Sequence, residues 1–141
     1  MTKISSILAL DVGEKRIGVA VANSIARLAV PLLTLDNNDQ VVDVIDGLVK
    51  EHNASCIVVG NPRDMQGNAT AQTTFSHAFA DSLQRIGLPI VFQDESLTSV
   101  HAEEQLRERG EPFVKQDIDA LAAALILRDY LAEQPEEPAN A

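Results

Sequence analysis

The sequence predicts a single α/β domain built on a mixed five-stranded sheet. Short apolar runs typical of buried strands alternate with longer segments of helical periodicity. Two of these runs are separated by only a few polar residues, which favours an antiparallel hairpin. The chain has 141 residues, the length of one ordinary domain. The predicted order is βββ-α-β-α-β-α-α, with the first three strands as antiparallel neighbours and helices covering the sheet.

The first three strands are predicted from apolar runs near the start of the chain. Residues 7–10 are apolar and lead into Asp11, and after a polar turn the apolar pattern resumes over residues 17–22. A third extended stretch, residues 27–35, contains Pro31. Proline has no backbone N–H to donate to a neighbouring strand, so this strand is predicted at an edge of the sheet.

A helix and a buried strand follow. Val41, Ile45 and Leu48 recur at helical spacing and predict a helix over residues 41–49. Residues 56–59 form a short, continuous apolar run closed by Gly-Asn-Pro. This pattern predicts a central strand that ends in a loop after residue 59.

The second half of the chain alternates between helices and one more strand. Helical spacing over residues 69–86 ends at Gly87, a typical C-terminal capping residue. A strand is predicted at 89–92, and helices are predicted at 98–109 and 118–131. The folded domain is therefore predicted to span residues 1–131, and residues 132–141, which are rich in proline and glutamate, are predicted to be a disordered acidic tail.

Charge and cysteine content restrict the class of protein. Eleven basic and 21 acidic residues give a formal net charge of −10, which disfavours nonspecific binding to nucleic acid or to a membrane surface. The single cysteine, Cys56, cannot form an internal disulfide and favours a reducing compartment. The first ten residues lack the basic flank and cleavage site of a signal peptide, and no apolar run has membrane-spanning length. We therefore expect a cytoplasmic protein.

Acidic residues stand at the ends of predicted elements, where a site can form. Asp11 follows the first strand, Asp94 and Glu95 follow the last, and Asp119 begins the final helix. Carboxylate oxygens are the ligands that Mg²⁺ prefers, and three of them suit a pair of ions that promote phosphodiester cleavage. The pattern therefore suggests a metal-dependent enzyme.

The residues alone leave alternatives open. Strand side chains alternate, so only one of Asp94 and Glu95 can face such a site, and the pattern does not decide which. Asp11 precedes a glycine and is equally well explained as a turn residue. Asp119 is equally well explained as a helix cap.

Four motifs resemble one known family. The segment Asp-Val-Gly-Glu-Lys-Arg-Ile-Gly-Val-Ala at residues 11–20 resembles the opening hairpin of the YqgF/RuvX family, of the ribonuclease H-like superfamily. Residues 57–62, 94–99 and 118–123 resemble three further family motifs, in the same order. The match runs from about residue 7 to residue 131, nearly the whole chain.

The resemblance implies a ribonuclease H-like fold and a Mg²⁺-dependent nuclease, with Mn²⁺ as an alternative ion. Transferred by position, the catalytic and metal-binding acids are Asp11, Glu95 and Asp119. The implied roles are 5′-end processing of pre-16S rRNA and, by analogy with RuvC, resolution of Holliday junctions. The expected partners are structured RNA or branched DNA and ribosomal precursor particles, with no membrane, and the protein is expected to be a monomer or a homodimer.

Basic residues near these acids are candidates for contacts to the substrate backbone. Lys15 and Arg16 match the basic pair of the family's hairpin, and Lys115 matches a basic position before the last helix. Arg63 follows the fourth strand and is added as a candidate from its position alone. Such contacts position a nucleic acid strand without reading its sequence.

Three positions depart from the family pattern and keep other functions open. Ser96 stands in place of arginine, Asn61 in place of leucine, and Asp117 in place of lysine. The two lost positive charges suggest, as an alternative, a non-catalytic nucleic-acid-binding module of the same fold. An actin-like phosphate binder shares the Asp-x-Gly hairpin, but a chain of 141 residues leaves no room for the second domain that closes over a nucleotide.

Overall fold

Five strands form one mixed sheet in a computed structural model that describes residues 4–95 and 98–134. The order across the sheet is β3-β2-β1-β4-β5. The strands β1, β2 and β3 pair antiparallel, and β4 and β5 extend the sheet from β1 in parallel. The predicted sheet is therefore confirmed. The strands are β1 (Ser6–Val12), β2 (Arg16–Asn23), β3 (Val30–Asp36), β4 (Ala54–Pro62) and β5 (Ile90–Glu95).

Helices cover both faces of the sheet and create two apolar layers. The first layer packs α1 and α2 against side chains such as Leu10 and Val59. The second packs α3 and α4 against the alternate side chains, such as Ala9 and Val58. The helices are α1 (Val41–Glu51), α2 (Ala71–Ser82, followed by a 3-10 turn at Leu83–Ile86), α3 (Thr98–Arg109) and α4 (Lys115–Glu133).

Most differences from the predicted elements lie at their ends. The strand β3 is an edge strand, as Pro31 predicts, but it begins at Val30 and not at residue 27. The strand β4 continues through the predicted loop to Pro62. The helix α4 begins three residues before its predicted start and reaches Glu133, so residues 132 and 133 of the predicted tail are helical. Residues 135–141 of that tail lie outside the described part of the chain.

The helix α4 packs unusually close to the sheet through small residues. Residues 120–124 of the helix are all buried. A Cβ atom built on Gly18 of β2 would lie 1.9 Å from the carbonyl oxygen of Asp119 and 3.0 Å from the amide nitrogen of Ala120. Only glycine allows this approach, because the atoms it would meet belong to the helix backbone. The backbone of α4 therefore lies directly against β2 at this point.

The far end of α4 is held by the turn between β2 and β3. The guanidinium group of Arg27 donates hydrogen bonds to the carbonyl oxygens of Leu131, at 2.9 Å, and Gln134, at 2.8 Å. These bonds satisfy carbonyl groups that a helix end otherwise leaves without intrahelical partners. The long helix is therefore fixed to the sheet at both ends.

Across residues 4–95 and 98–134, none of the helices combines the length and the apolar character required to span a lipid bilayer.

Candidate active site

The structure brings the three predicted acids to one cleft. Side chains alternate along a strand, so Asp11 faces the same helical layer as Ala9, two residues before it. By the same alternation Glu95 faces that layer with Val91. Asp119 lies on α4, the helix of that layer, and all three acids line an open cleft of about 520 Å³.

The carboxyl group of Asp11 is the electrostatic centre of this cleft. Burial first, and then the nearby charges of Glu95 and Asp119, together raise the pKa of Asp11 from 3.8 to about 8. Like charges and low solvation both favour the protonated carboxyl group. A bound divalent cation would reverse this balance and keep Asp11 ionised. The raised pKa thus reflects the burial of Asp11 and, after it, the proximity of the Glu95 and Asp119 carboxylates.

Asp94 and Glu95 point to opposite faces of the sheet, as strand alternation requires. Asp94 accepts hydrogen bonds from the Nδ2 atom of Asn61, at 2.6 Å, and the Nε atom of Arg63, at 3.0 Å. The Asn61 hydrogen bond, with a smaller contribution from Arg63, lowers the pKa of the exposed Asp94 carboxyl group. Asp94 therefore has a structural role on the α2 side, and Glu95 is the member of the pair that lines the cleft.

Gly60 makes room for Glu95 and was not recognised as a site residue from the sequence. It lies inside β4, and a Cβ atom there would be 3.1 Å from the carboxyl carbon of Glu95 and 2.8 Å from the Cδ1 atom of Ile126. The carboxyl group of Glu95 thus packs directly against the backbone of Gly60. Glycine within a strand often marks such a close approach, and this was the available signal.

Gln72 is a second residue that the sequence did not indicate. Its Nε2 atom donates a hydrogen bond of 2.7 Å to the carbonyl oxygen of Val12, at the end of β1. This bond ties the first turn of α2 to the backbone beside Asp11. Gln72 also lines the cleft.

The sequence predicted Asp119 in the first turn of the final helix, but the structure places it further along α4. The helix begins at Lys115, so Asp119 is its fifth residue. The capping role belongs to Asp117, whose Oδ2 atom accepts a hydrogen bond of 2.9 Å from the Val114 amide. What holds Asp119 is an ion pair in which the Nε atom of Arg16 lies 2.6 Å from its Oδ2 atom.

The predicted basic residues separate into two groups. Lys15 and Arg16 line the cleft, and Lys115 lines an adjoining cavity of about 820 Å³ that also contains Arg16 and Asp119. Arg63 is directed elsewhere, since it pairs with Asp94 and donates a 3.0 Å hydrogen bond to the carbonyl oxygen of Gly67. Arg63 lines a cavity of about 400 Å³ that shares Glu95 with the cleft.

The donor set suits a hard cation, although the side chains do not all converge. Within the described ranges, no three Asp, Glu, His or Cys side chains are placed to bind one metal ion together. The Arg16 ion pair holds Asp119 by its Oδ2 atom. Mg²⁺ in proteins is usually bound by one or two carboxylates with water and substrate oxygens completing the shell. Asp11 and Glu95 fit that requirement.

Replacing Asp11 by asparagine should stabilise the metal-free protein at neutral pH. The Asp11 carboxyl group titrates near 3.8 when unfolded and near 8 when folded, so the free energy of unfolding falls as the pH rises between these values. Asp11→Asn removes this loss. We expect the variant to melt at a higher temperature than the parent at pH 7.5 in EDTA, with the difference vanishing near pH 4. Thermal unfolding followed by circular dichroism tests this, and a variant that melts no higher at pH 7.5 would show that the fold does not raise the pKa of Asp11.

Comparisons with known proteins agree over nearly the whole chain. A protein-family model described as "RuvX: Holliday junction resolvase" matches residues 5–133. A protein named "Putative pre-16S rRNA nuclease" from Chloroflexus aurantiacus is 43% identical over 137 residues, which cover 94% of this chain and 90% of that relative. A protein of the same name from Shewanella denitrificans is 37% identical over 139 residues, which cover 95% and 99% of the two chains.

A solved structure agrees with the fold. The structure titled "T. thermophilus RuvC in complex with Holliday junction substrate" matches with a TM-score of 0.55 and 16% sequence identity, over 91% of this chain and 95% of that chain. At this identity the likeness concerns the fold alone. The predicted ribonuclease H-like fold is confirmed by it together with the strand order of the sheet.

Proposed function

Because the chain belongs to the RuvX family, we propose that it is a metal-dependent nuclease that processes the 5′ end of pre-16S rRNA. The observation that carries the proposal is the shared cleft of Asp11, Glu95 and Asp119, in which burial and then the neighbouring carboxylates raise the pKa of Asp11. The substrate class comes from the names of relatives that are 37–43% identical to this chain. The reaction is hydrolysis of a phosphodiester bond.

In this proposal Asp11 and Glu95 bind the divalent cation, Mg²⁺ or Mn²⁺, and Asp119 completes the acidic set. When bound, the cation would supply charge stabilisation at the phosphate and acidify a water molecule. Asp11 serves as a ligand only in its ionised form, so cation binding must release its proton at neutral pH. The hydrogen bond from Gln72 holds the backbone beside Asp11, and the bare backbone of Gly60 leaves room for the Glu95 carboxyl group.

The basic residues along the cleft provide the contacts for the substrate backbone. Lys15, Arg16 and Lys115 border the central cleft and its adjoining cavity. With a net charge of −10 the chain repels a polyanion at long range, so a local cationic border is required for binding. We remove Arg63 from this group, because its guanidinium is bound to Asp94 and to Gly67.

Cleavage of a four-way DNA junction is the second candidate, favoured by the description of the matching family model. A single chain presents one cleft of this kind, and a symmetric junction has two equivalent strands to cut. Junction resolution would therefore require a dimer with two-fold symmetry. The mass of the protein in solution, with and without a junction, separates the two candidates.

The central experiment is a substrate panel. Labelled RNA containing the 5′ precursor of 16S rRNA and a four-way DNA junction are incubated with Mg²⁺, Mn²⁺ or EDTA. We expect cleavage of the RNA with either ion and none with EDTA. Binding of RNA in the presence of Mg²⁺ without any cleavage would favour the non-catalytic module instead.

Gly60→Ala should lower activity more than it lowers stability. The new methyl group displaces the Glu95 carboxyl group, and a misplacement of about 1 Å in an active site costs about 10²-fold in rate. The accompanying strain against Ile126 should cost about 1–3 kcal/mol in the free energy of unfolding. Initial rates of RNA cleavage and urea unfolding measure the two effects.

A double variant separates the two causes. Ile126→Val removes the Cδ1 atom that the new methyl group meets, so adding it to Gly60→Ala should recover stability. It leaves the contact with Glu95 in place, so activity should stay low. If activity recovers together with stability, the glycine matters only for packing.

A further inference from the structure

We propose that Arg16 is a positioning residue that exchanges partners, binding Asp119 in the metal-free protein and substrate phosphate once a cation has taken Asp119. This inference rests on the proposed function and adds to it an order of events, in which metal binding prepares the nucleic acid site. The starting point is the ion pair of 2.6 Å between Arg16 and Asp119.

The ion pair is sheltered enough to matter. The exposed fraction is 31% for the side chain of Arg16 and 18% for that of Asp119. Exposed ion pairs contribute little because water screens them, but a charge-assisted hydrogen bond in partial shelter is shorter and stronger. A cation that binds Asp119 through its Oδ2 atom therefore displaces the guanidinium group.

The backbones on both sides of the ion pair are fixed, so the exchange is confined to side chains. Arg16 begins β2, pairs with Asp36 across the sheet and accepts a 2.9 Å hydrogen bond from the Gly13 amide. The backbone of α4 at Asp119 packs so closely against Gly18 that there is no space for a methyl group on Gly18. The helix cannot move closer to the sheet, and moving away would open the second apolar layer, so side-chain rotation is the least costly movement.

Arg16 stands where a released guanidinium group would meet the substrate. It lines both the central cleft and the cavity that contains Lys115. The guanidinium group carries five N–H donors in a planar fork that matches two phosphate oxygens, a geometry that lysine does not offer. The same side chain can therefore serve Asp119 in one state and a phosphate in the other.

The exchange makes two ligands cooperative. A cation bound to Asp119 leaves Arg16 free to bind phosphate. A phosphate bound to Arg16 in turn leaves Asp119 free to bind the cation. By thermodynamic linkage each ligand then raises the affinity for the other by the same factor. Without Arg16 this coupling is lost, although each ligand can still bind.

Calorimetric titration of the metal-free protein with Mn²⁺ tests the first half of the proposal. Arg16→Gln should bind Mn²⁺ about tenfold more tightly than the parent, within the usual range of coupling between sites. The matched control is Lys15→Gln, which removes one positive charge from the same hairpin but leaves the ion pair intact. Equal Mn²⁺ affinities of the two variants would overturn the exchange, because general charge would then explain the gain.

Binding of uncut RNA with Ca²⁺ tests the second half. In the parent, Ca²⁺ should tighten RNA binding through the release of Arg16, and Arg16→Gln should lose most of this gain. Lys15→Gln, which removes one contact to the RNA backbone, should bind RNA more weakly with and without Ca²⁺ but keep the same fold-gain. Arg16→Lys, which retains the charge, should behave like Arg16→Gln because lysine has no planar fork. A full Ca²⁺ effect in both Arg16 variants would contradict the proposal.

A spectroscopic signal reports the ion pair directly. In the metal-free protein the Nε proton of Arg16 should exchange slowly with water and give an observable NMR resonance. Addition of Mg²⁺ should make this exchange faster and remove the resonance. A resonance that is unchanged at saturating Mg²⁺ would overturn the exchange. These readouts are independent of cleavage, so a protein that shows the exchange but cuts neither RNA nor junction DNA would refute the nuclease function and leave the exchange standing.

Discussion

Asp11→Asn is expected to lower RNA cleavage by about 10³-fold or more while leaving the chain folded. The variant replaces the most central carboxylate of the cleft by an amide of nearly the same shape, which cannot carry the charge that a hard cation requires. The loss of one preorganised electrostatic group alone costs about 10²–10³ in rate, and a metal ligand affects both binding and catalysis. Single-turnover cleavage with saturating Mg²⁺ measures the effect.

Asp81→Asn is a matched control for this variant. Asp81 is exposed on α2, and its replacement makes the same change in charge and shape away from the cleft. It should cleave at the parental rate. If Asp11→Asn also retains the parental rate, the proposed active site is wrong, whatever the fold.

A paired comparison at the end of β5 extends the same argument. Glu95→Gln should lose activity nearly as completely as Asp11→Asn, because Glu95 lines the cleft. Asp94→Asn should retain most of it, because the Asp94 side chain is on the opposite face with Asn61 and Arg63. The reverse ranking would assign the role to Asp94.

Gly18→Ala is expected to destabilise the fold by more than about 3 kcal/mol, the largest effect of any single methyl group in the described part of the chain. Its Cβ atom would lie 1.9 Å from the carbonyl oxygen and 2.3 Å from the carbonyl carbon of Asp119. These are backbone atoms, so the helix α4 must move away from β2 and open the second apolar layer. Overpacking usually costs 1–3 kcal/mol, and the absence of a flexible neighbour places this variant above that range.

Gly47→Ala makes the same chemical change without a collision. A Cβ atom at Gly47, in α1, would meet nothing within 4 Å, and alanine is the better helix former by about 1 kcal/mol. Urea unfolding should therefore show a gain for Gly47→Ala and a large loss for Gly18→Ala. A loss below about 1 kcal/mol for Gly18→Ala would mean that α4 shifts easily, and the fixed backbone assumed for the Arg16 exchange would be wrong.

The sequence predicted the layered architecture well because the apolar spacing of each segment was unambiguous. All five strands and four helices were predicted in the correct order. The start of α4 was misplaced since Val114 offers no capping side chain, and the cap comes from Asp117 inside the helix, three residues later. The sequence around Val114 does not reveal that its amide is capped by a side chain three residues later.

The contents of the cleft were only partly predictable. Strand alternation established that Asp94 and Glu95 point apart, but which of them faces α4 depends on the register of β5 in the sheet. The role of Gly60 depends on a side chain 35 positions away, and the Arg16 ion pair joins residues 103 positions apart. Such contacts are properties of the assembled fold.

Two departures from the family pattern have structural roles of their own. Asn61 is buried, donates to Asp94 and has its Oδ1 atom 2.9 Å from the Nε2 atom of His77. Asp117 caps α4. Asn61 and Asp117 therefore make hydrogen bonds that do not involve the three acids of the cleft. Ser96, the third departure, lies outside the described residues.

The clamp that Arg27 forms on the end of α4 suggests where a reporter group can be attached. Asp119 and Gln134 are 15 positions apart, which corresponds to about 22 Å along a helix. The hydrogen bonds from Arg27 to Leu131 and Gln134 anchor the helix before the chain leaves it. A fluorophore or affinity handle attached at Gln134 would therefore lie far from the chemistry, and immobilised protein could be titrated with ions and RNA without disturbing its acids.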